Sequence, residues 1–402
     1  MSGSSVILTS FLRNTLLPLT VFESFKNIKI DDINFNDIEF KFKPSTKSSE
    51  KAKVNSLITE YKNGSLVLVL GAGVSIDYGL PSWDMLLQKL LIEAFSTKTK
   101  EDSKVSTVLA ELFTNVFPLN PLISARFLQN YYKKNKKDGD FESDIRNIFY
   151  NDIKIDYISP TFKEIFQLCV APGNSPNLNS IITYNYDDLL EKHLDDLDID
   201  VPYKSIYKVG QNHTPNELPI YHVHGFLKRD GDLSPDDKII LSEDLYHQQY
   251  NDTYSWNNIV QINKFRENTC LFIGISLSDP NTRRLLDIAN LQKGSLNKYH
   301  YIIKKRYDRD KIKKSLEIVL SQDNTISNEK TDESLGIDKT VNYLVEFMET
   351  FEEEDAMSFG VKTIWVKEFS EIPSILIKIR KMYSNSKVND SVISNNSSMI
   401  LG

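Results

Sequence analysis

Along the chain the spacing of apolar residues changes repeatedly, and each change marks an element. The first 50 residues include NIKIDDINFNDIEFKFK, where apolar and polar positions alternate as in one or two strands or an extended arm. The polar stretch PSTKSSEK then reads as a linker, followed by a helical run near residues 51–62 and a turn at Asn63-Gly64. SLVLVLG is apolar at consecutive positions, the pattern of a strand covered on both faces in the middle of a parallel sheet. From Ser82 the spacing becomes helical, with Leu86, Leu87, Leu90, Leu91 and Phe95 on one broad face. Residues 100–170 predict several helices and no convincing strand. Strand character returns in NSIITYN, PIYHVHG, KIILS, TCLFIGIS, KYHYIIK and VKTIWVK, mostly separated by helical segments. Such alternation predicts an α/β fold, a parallel sheet with helices on both faces and a helical insertion between the first two motif-bearing strands. The expected organisation is an N-terminal arm over 1–50, a main domain over 51–383 with its insertion at about 100–170, and a polar, turn-rich, disordered tail over 384–402.

Composition narrows the function classes. With 402 residues, 40% hydrophobic and 26% charged, the chain can bury a sizeable core as one large domain or two. A formal charge of −7 argues against direct nucleic-acid binding, which leaves a basic footprint. The dense basic run Lys133, Lys134, Lys136 and Lys137 sits beside Asp138 and Asp140 and reads as a solvated helix end rather than a phosphate patch. Cys169 and Cys270 both lie in apolar runs and form no CxxC pair, which argues against a disulfide framework and against a four-cysteine zinc site. No apolar run approaches the roughly 20 residues of a membrane span, and the N-terminus lacks a charged region before a cleavable core. A cytoplasmic location is expected.

Four short segments carry candidate chemistry. Gly71-Ala72-Gly73-Val74-Ser75 follows the first strand, where glycines and the free N–H groups of a helix start can receive a pyrophosphate. A glycine-rich turn serves purely structural ends as well, and Ile76 occupies the third glycine position of the dinucleotide fingerprint. Thr183-Tyr184-Asn185-Tyr186-Asp187 places an amide and a carboxylate where a strand gives way to a helix; taken alone, helix capping by Asn185 or Asp187 is the favoured explanation. His222-Val223-His224-Gly225 sets two histidines on one face of a strand, with no Cys, Asp or third His to complete a metal site. His224 reads either as a core hydrogen-bonder or as a base at the ligand edge. In Phe272-Ile273-Gly274-Ile275-Ser276-Leu277-Ser278-Asp279-Pro280-Asn281, Asp279 and Pro280 are an N-cap and first helical residue, while Gly274 and Ser276 can admit a ribose.

Together and in this order, GAGVSIDYGLPSW, TYNYDDLLE, HVHG and FIGISLSDPN resemble the four signatures of the sirtuin superfamily over roughly residues 66–290. The segments are more similar still to the sirtuin-like NAD⁺-hydrolase domains of bacterial antiphage defence systems, of the Thoeris-effector kind. The resemblance implies a Rossmann-like, NAD-binding fold and a catalytic pair at Asn185 and His224. It implies a pyrophosphate cradle at Gly71, Ala72, Gly73 and Ser75, with Trp83 beside the nucleotide. Gly274, Ser276, Asp279 and Asn281 are implied at the adenosine end. The four-cysteine zinc module of protein-deacylating sirtuins is missing, and Ser82-Trp83 stands where they carry Phe-Arg. NAD⁺ is therefore implied as substrate, with no metal, and hydrolysis to nicotinamide and ADP-ribose rather than deacylation.

Cleavage of the nicotinamide–ribose bond passes through an oxocarbenium-like ribose, as in glycoside cleavage. Asn185 can position the ribose or a water, and His224, titrating near neutrality, can accept a proton. Asp187 can place negative charge near the cation or simply cap the helix. The resemblance further implies an abortive-infection effector acting as a homo-oligomer or with a partner protein such as an ATPase. The arm, the insertion and the acidic run Glu352–Asp355 are candidate assembly surfaces. The competing readings are a non-catalytic NAD⁺ or ADP-ribose sensor, an ADP-ribosyltransferase or protein deacylase, and a nucleic-acid-associated scaffold.

Overall fold

The computed structural model of the protein describes residues 47–99, 121–135, 140–153, 158–170, 177–196, 201–233, 239–294, 298–322 and 337–381. The expected arm, apart from its last residues, and the expected tail from 384 onward lie outside the described residues. The first described helix, Lys47–Lys62, begins inside the stretch read as a linker. KSSEKAK is rich in helix formers, and Glu50 pairs with Lys53 at 3.0 Å one turn on, so helix wins over the polar-linker expectation.

Seven strands form one sheet: β1 (Leu66–Leu70), β2 (Ser180–Thr183), β3 (Tyr203–Ile206), β4 (Leu218–His222), β5 (Thr269–Ile273), β6 (His300–Lys305) and β7 (Val361–Val366). Their spatial order is β3-β4-β2-β1-β5-β6-β7, and every pairing whose register is described is parallel. The expected α/β class with a Rossmann-like parallel sheet is what the chain forms. KIILS is the exception among the expected strands. Its described residues 239–242 make no ladder, although Ile239 and Leu241 are buried and the Ile240 N–H reaches the His224 carbonyl at 2.7 Å. An apolar run of this length is satisfied by burial alone, which periodicity cannot tell from a strand. Conversely β3, with the sequence YKSI and a half-exposed edge position, carries no apolar run to announce it.

The period of two explains how the sheet is covered. Leu66, Leu68 and Leu70 of β1, with Ile181, Leu271 and Ile273, enter one core cluster. Val67, Val69, Ile182, Cys270 and Phe272 enter a second on the opposite face. Helices Lys47–Lys62, Trp83–Thr99 and Pro160–Cys169 supply Leu57, Tyr61, Leu86, Leu90 and Ile165 to the first face. Helices Trp256–Glu267 and Pro280–Lys293 supply Phe265, Leu285 and Leu286 to the second. At about 25 cal/mol per Å² of apolar surface, such two-sided burial is the main force holding the strands. Between β1 and β2 the described residues form helices only.

Residues 305–355 constitute a compact unit separate from the sheet-bearing one. It contains helix Arg309–Gln322 and most of helix Ile337–Ser358, tied by a Lys313–Asp338 bridge of 2.8 Å and an Arg306–Glu349 pair. Glu352 of the acidic run accepts the Tyr307 hydroxyl within the same unit. No described helix is long and apolar enough to cross a membrane.

Candidate active site

A parallel sheet gathers all its strand C-termini at one edge. The chain order reverses beside β1, with β2 on one side and β5 on the other, which is where open α/β sheets bind ligands. A cavity of about 240 Å³ lies there. Gly71, Ala72, Ser75, Pro81 and Trp83 arrive after β1, Asn185 and Asp187 after β2, His224 after β4, and Gly274, Ser276 and Asp279 after β5. The sheet thus brings ten of the twelve expected site residues and the four motifs into one wall, and leaves out Gly73 and Asn281.

Asn185, Ser75 and Asp187 form a directed chain. The Asn185 Nδ2 donates to the Gly71 carbonyl at 3.1 Å and to Ser75 Oγ at 3.0 Å. Ser75 Oγ in turn donates to Asp187 Oδ2 at 3.0 Å, and the Leu189 N–H donates to Asp187 Oδ1 at 3.2 Å. Because a backbone carbonyl only accepts, the Gly71 contact fixes which end of the amide carries the protons. Both amide protons are used, and no described residue donates to Asn185 Oδ1, which leaves an acceptor for a ligand hydroxyl or water. Asp187 therefore does cap the helix Leu189–Asp195, although Asp188 is the N-cap residue by backbone position. Burial pushes the Asp187 carboxyl up to about 6, against the lowering bonds from Ser75 and Leu189.

The two histidines part company. β4 ends at His222, the chain turns through Val223 and His224, and Gly225 sits at φ 103°. They do not share a strand face as the i, i+2 spacing predicts, because the strand stops between them. His222 Nε2 lies 2.7 Å from Glu191 Oε1, sealed from solvent, and Ser205 donates to the same carboxylate oxygen at 2.7 Å. Burial alone raises Glu191; the His222 charge and the bonds from His222 and Ser205 outweigh it and hold the carboxyl below its ordinary value. His224 alone reaches the cavity. Burial pushes its imidazole below the ordinary value and the Asp279 charge only partly opposes this, which favours the neutral form over the titration near neutrality that the sequence suggested. Among the described residues no group of three His, Cys, Asp or Glu could hold a metal.

The glycines have a reason that the ligand-approach reading did not include. The Gly71 N–H bonds the Ile273 carbonyl and the Gly73 N–H bonds the Gly274 carbonyl, so the loop after β1 lies directly on the loop after β5. A Cβ at Gly73 would stand 2.7 Å from the Gly274 Cα. Gly73 therefore faces protein and does not line the cavity. Nor does an α-helix open beside it: two 3₁₀ turns, Ala72–Val74 and Ile76–Tyr78, precede the helix at Trp83. Asn281 is 1% exposed and its amide is spent on Gln249 and Asn258, a structural network beneath the site. Asp279 caps the helix Pro280–Lys293 through the Thr282 N–H at 2.6 Å, as expected, and its carboxylate also bonds the Tyr246 hydroxyl. Sequence reasoning missed Tyr184, Tyr246, Phe149 and Thr282 as lining residues. Tyr184 stood inside a motif without a chemical reason attached, and Tyr246 arrives on helix Glu243–Asn251, for which nothing local signals a site.

Residues 179–326, which take in the second, third and fourth motifs, match the family model of the SIR2-like domain. Over those residues the chain is similar to a SIR2-like domain. It is also 24% identical over 335 residues to the NAD(+) hydrolase ThsA of Enterococcus faecium, an alignment covering 83% of this chain and 59% of that protein. A second relative, the NAD(+) hydrolase ThsA of Acinetobacter baumannii (strain 532279), is 23% identical over 344 residues, covering 83% and 57%. The chain thus spans less than two thirds of the length of these curated relatives. Its β2, β4 and β5 loops, which supply Asn185, His224 and Asp279 to the cavity, all fall within the matched family region.

Proposed function

We propose that this chain is an NAD⁺ glycohydrolase, cleaving NAD⁺ with water to nicotinamide, ADP-ribose and a proton. The observation that carries the reading is the shared wall of the cavity: an uncommitted amide carbonyl at Asn185, a buried carboxylate at Asp187 and a neutral imidazole at His224. Relatives named NAD(+) hydrolase support it. The volume of about 240 Å³ suits a nucleoside-sized part of the dinucleotide.

In the proposed reaction the C1′–N bond of the nicotinamide riboside breaks and its electron pair leaves with nicotinamide, which departs neutral and needs no acid. Positive charge appears at C1′ and O4′ of the ribose. Asp187, buried and ionised above about pH 6, stabilises that charge. Asn185 Oδ1 accepts from a ribose hydroxyl or from the attacking water and so fixes its direction. His224, held neutral by burial, accepts the proton that the water releases as its oxygen bonds C1′. Gly71, Ala72 and Ser75 line the cavity and are the residues we assign to the pyrophosphate; Gly274, Ser276 and Asp279 border the same space and are assigned to the adenosine end.

The proposal extends to an antiphage, abortive-infection role in the cytoplasm, with activity switched by homo-oligomer formation or by a partner protein. Uncontrolled loss of NAD⁺ would kill the producing cell, which requires such control. The test is NAD⁺ consumption by the purified chain beside Asn185→Ala and His224→Ala. Nicotinamide and ADP-ribose in equal amounts, lost at least about 100-fold in both variants, is the expected result. Binding of NAD⁺ without turnover by the chain alone would point to a switched-off enzyme awaiting a partner or to a sensor, and no binding would end the proposal.

A further inference from the structure

His224 lacks the usual means of orienting a base. Catalytic histidines are ordinarily aimed by a carboxylate or carbonyl bonded to one ring nitrogen. No described residue bonds either nitrogen of His224, and its Nε2 is buried without a partner. The ring is held instead between two tyrosines. Tyr184 meets it edge-to-face at a centroid distance of 4.8 Å and an interplanar angle of 84°, and Tyr246 does so at 5.7 Å and 76°.

The nearer ring is itself anchored by a chain of hydrogen bonds. The Tyr184 hydroxyl donates to Gln261 Oε1 at 2.5 Å, and Gln261 Nε2 donates to the Asn257 carbonyl at 3.0 Å. Asn257 Nδ2 donates to the carbonyl of Val223, the residue before His224, at 3.1 Å. Gln261 is fully buried and Asn257 is 6% exposed, both on helix Trp256–Glu267. An interior glutamine with both ends of its amide satisfied has one geometry, because any rotation leaves a buried group unpaired. The backbone that carries His224 and the ring that faces it are thereby tied to the same two residues of one helix.

We propose that Tyr184 and Gln261 are positioning residues for His224, setting the direction of its imidazole through ring packing in place of a hydrogen bond. The inference rests on the glycohydrolase reading for its kinetic consequence and stands apart from it for its structural one. Neither residue need touch NAD⁺ for this effect. Tyr184→Phe keeps the ring and removes the anchor; Gln261→Leu keeps volume and removes the receiving amide.

The experiment measures kcat and KM for NAD⁺ in the full chain, together with the imidazole titration of His224 by NMR, its signal identified by loss in His224→Gln. Each single variant is expected to lower kcat about tenfold with KM within about twofold, a loss confined to the transition state. The double variant is expected to lose no more than the worse single one, because both break one chain of bonds. A loosened ring takes up water, so the His224 titration should move upward by about half a unit or more in each variant. Wild-type kcat and an unmoved titration in Tyr184→Phe would overturn the proposal. Should Gln261→Leu unfold, Tyr184→Phe decides alone, since it deletes a single oxygen. If the wild-type chain neither binds nor cleaves NAD⁺, the glycohydrolase reading falls, and the His224 titration still decides whether Tyr184 and Gln261 hold the ring.

Discussion

Asp187 shows how one residue serves fold and site at once. Its two carboxylate oxygens satisfy Ser75 and the first free N–H of a helix, yet burial makes ionisation costly and sets its value at about 6. The folded value lies above the unfolded one, so its contribution to stability is complete below about pH 4 and lost as pH rises through 6. The linked free energy is on the order of 3 kcal/mol at most. Asp187→Asn is expected to remove that slope: the stability difference between variant and wild type, from urea midpoints, should shift in the variant's favour between pH 4 and 6 and stay flat above. A constant difference across that range would mean the carboxylate is not held as described. Glu191 works in the other direction. Its folded value is lowered, so the His222 pair stabilises above the ordinary glutamate range and is lost on acidification, and Glu191→Gln should flatten the acid side of the curve. Of these residues, Asn185, Asp187 and His224 were legible as candidates in the sequence. The bond from Ser75 to Asp187 joins positions 112 apart in sequence and could not be read locally.

At the scale of elements, the contact between the loops after β1 and β5 is the part of the site most exposed to backbone change. A Cβ at Gly274 would lie 2.7 Å from the Val74 nitrogen, on a residue held at φ +69°. Strain and crowding add, and Gly274→Ala is expected to cost about 2–4 kcal/mol. Gly210, at φ +85° with nothing within 4 Å of its would-be Cβ, isolates the strain alone, and Gly210→Ala should cost about 1 kcal/mol. Thermal midpoints of the two variants give the comparison, and equal losses would show that loop packing contributes nothing. Leu277, at φ +59°, is the one non-glycine described with positive φ, and it too lines the cavity. The elements themselves were mostly visible in the chain, since LVLVL and TCLFI are apolar on both faces and announce central strands. β3 and the 239–242 segment were misread because one is short and polar at a sheet edge and the other is apolar without strand pairing.

For the molecule as a whole, the parallel arrangement decides where chemistry can sit. Four segments that are scattered between residues 71 and 281 share one edge because each follows a strand running the same way. A ligand filling the resulting cavity binds only the folded state. NAD⁺ at 100 times its Kd should therefore stabilise the chain by about 2.7 kcal/mol, read as a rise in the thermal midpoint. The rise should shrink in Asn185→Ala, where the carbonyl acceptor is gone. If activity is switched by assembly, specific activity should climb with protein concentration; a constant value with a monomeric species throughout would remove that part of the proposal.

Local sequence was enough to specify the α/β class, the order of most strands, the cap at Asp279 and the identity of the four polar loops. Those features depend on residues a few positions apart: the period of apolar side chains, the turn chemistry of glycine and proline, the capping geometry of an aspartate. The folded chain alone separated His222 from His224, turned Gly73 and Asn281 away from the cavity, and set Tyr184, Tyr246 and Gln261 around the imidazole. Each of these depends on which distant backbone or side chain lies opposite, and burial then decides the charge that a group can carry.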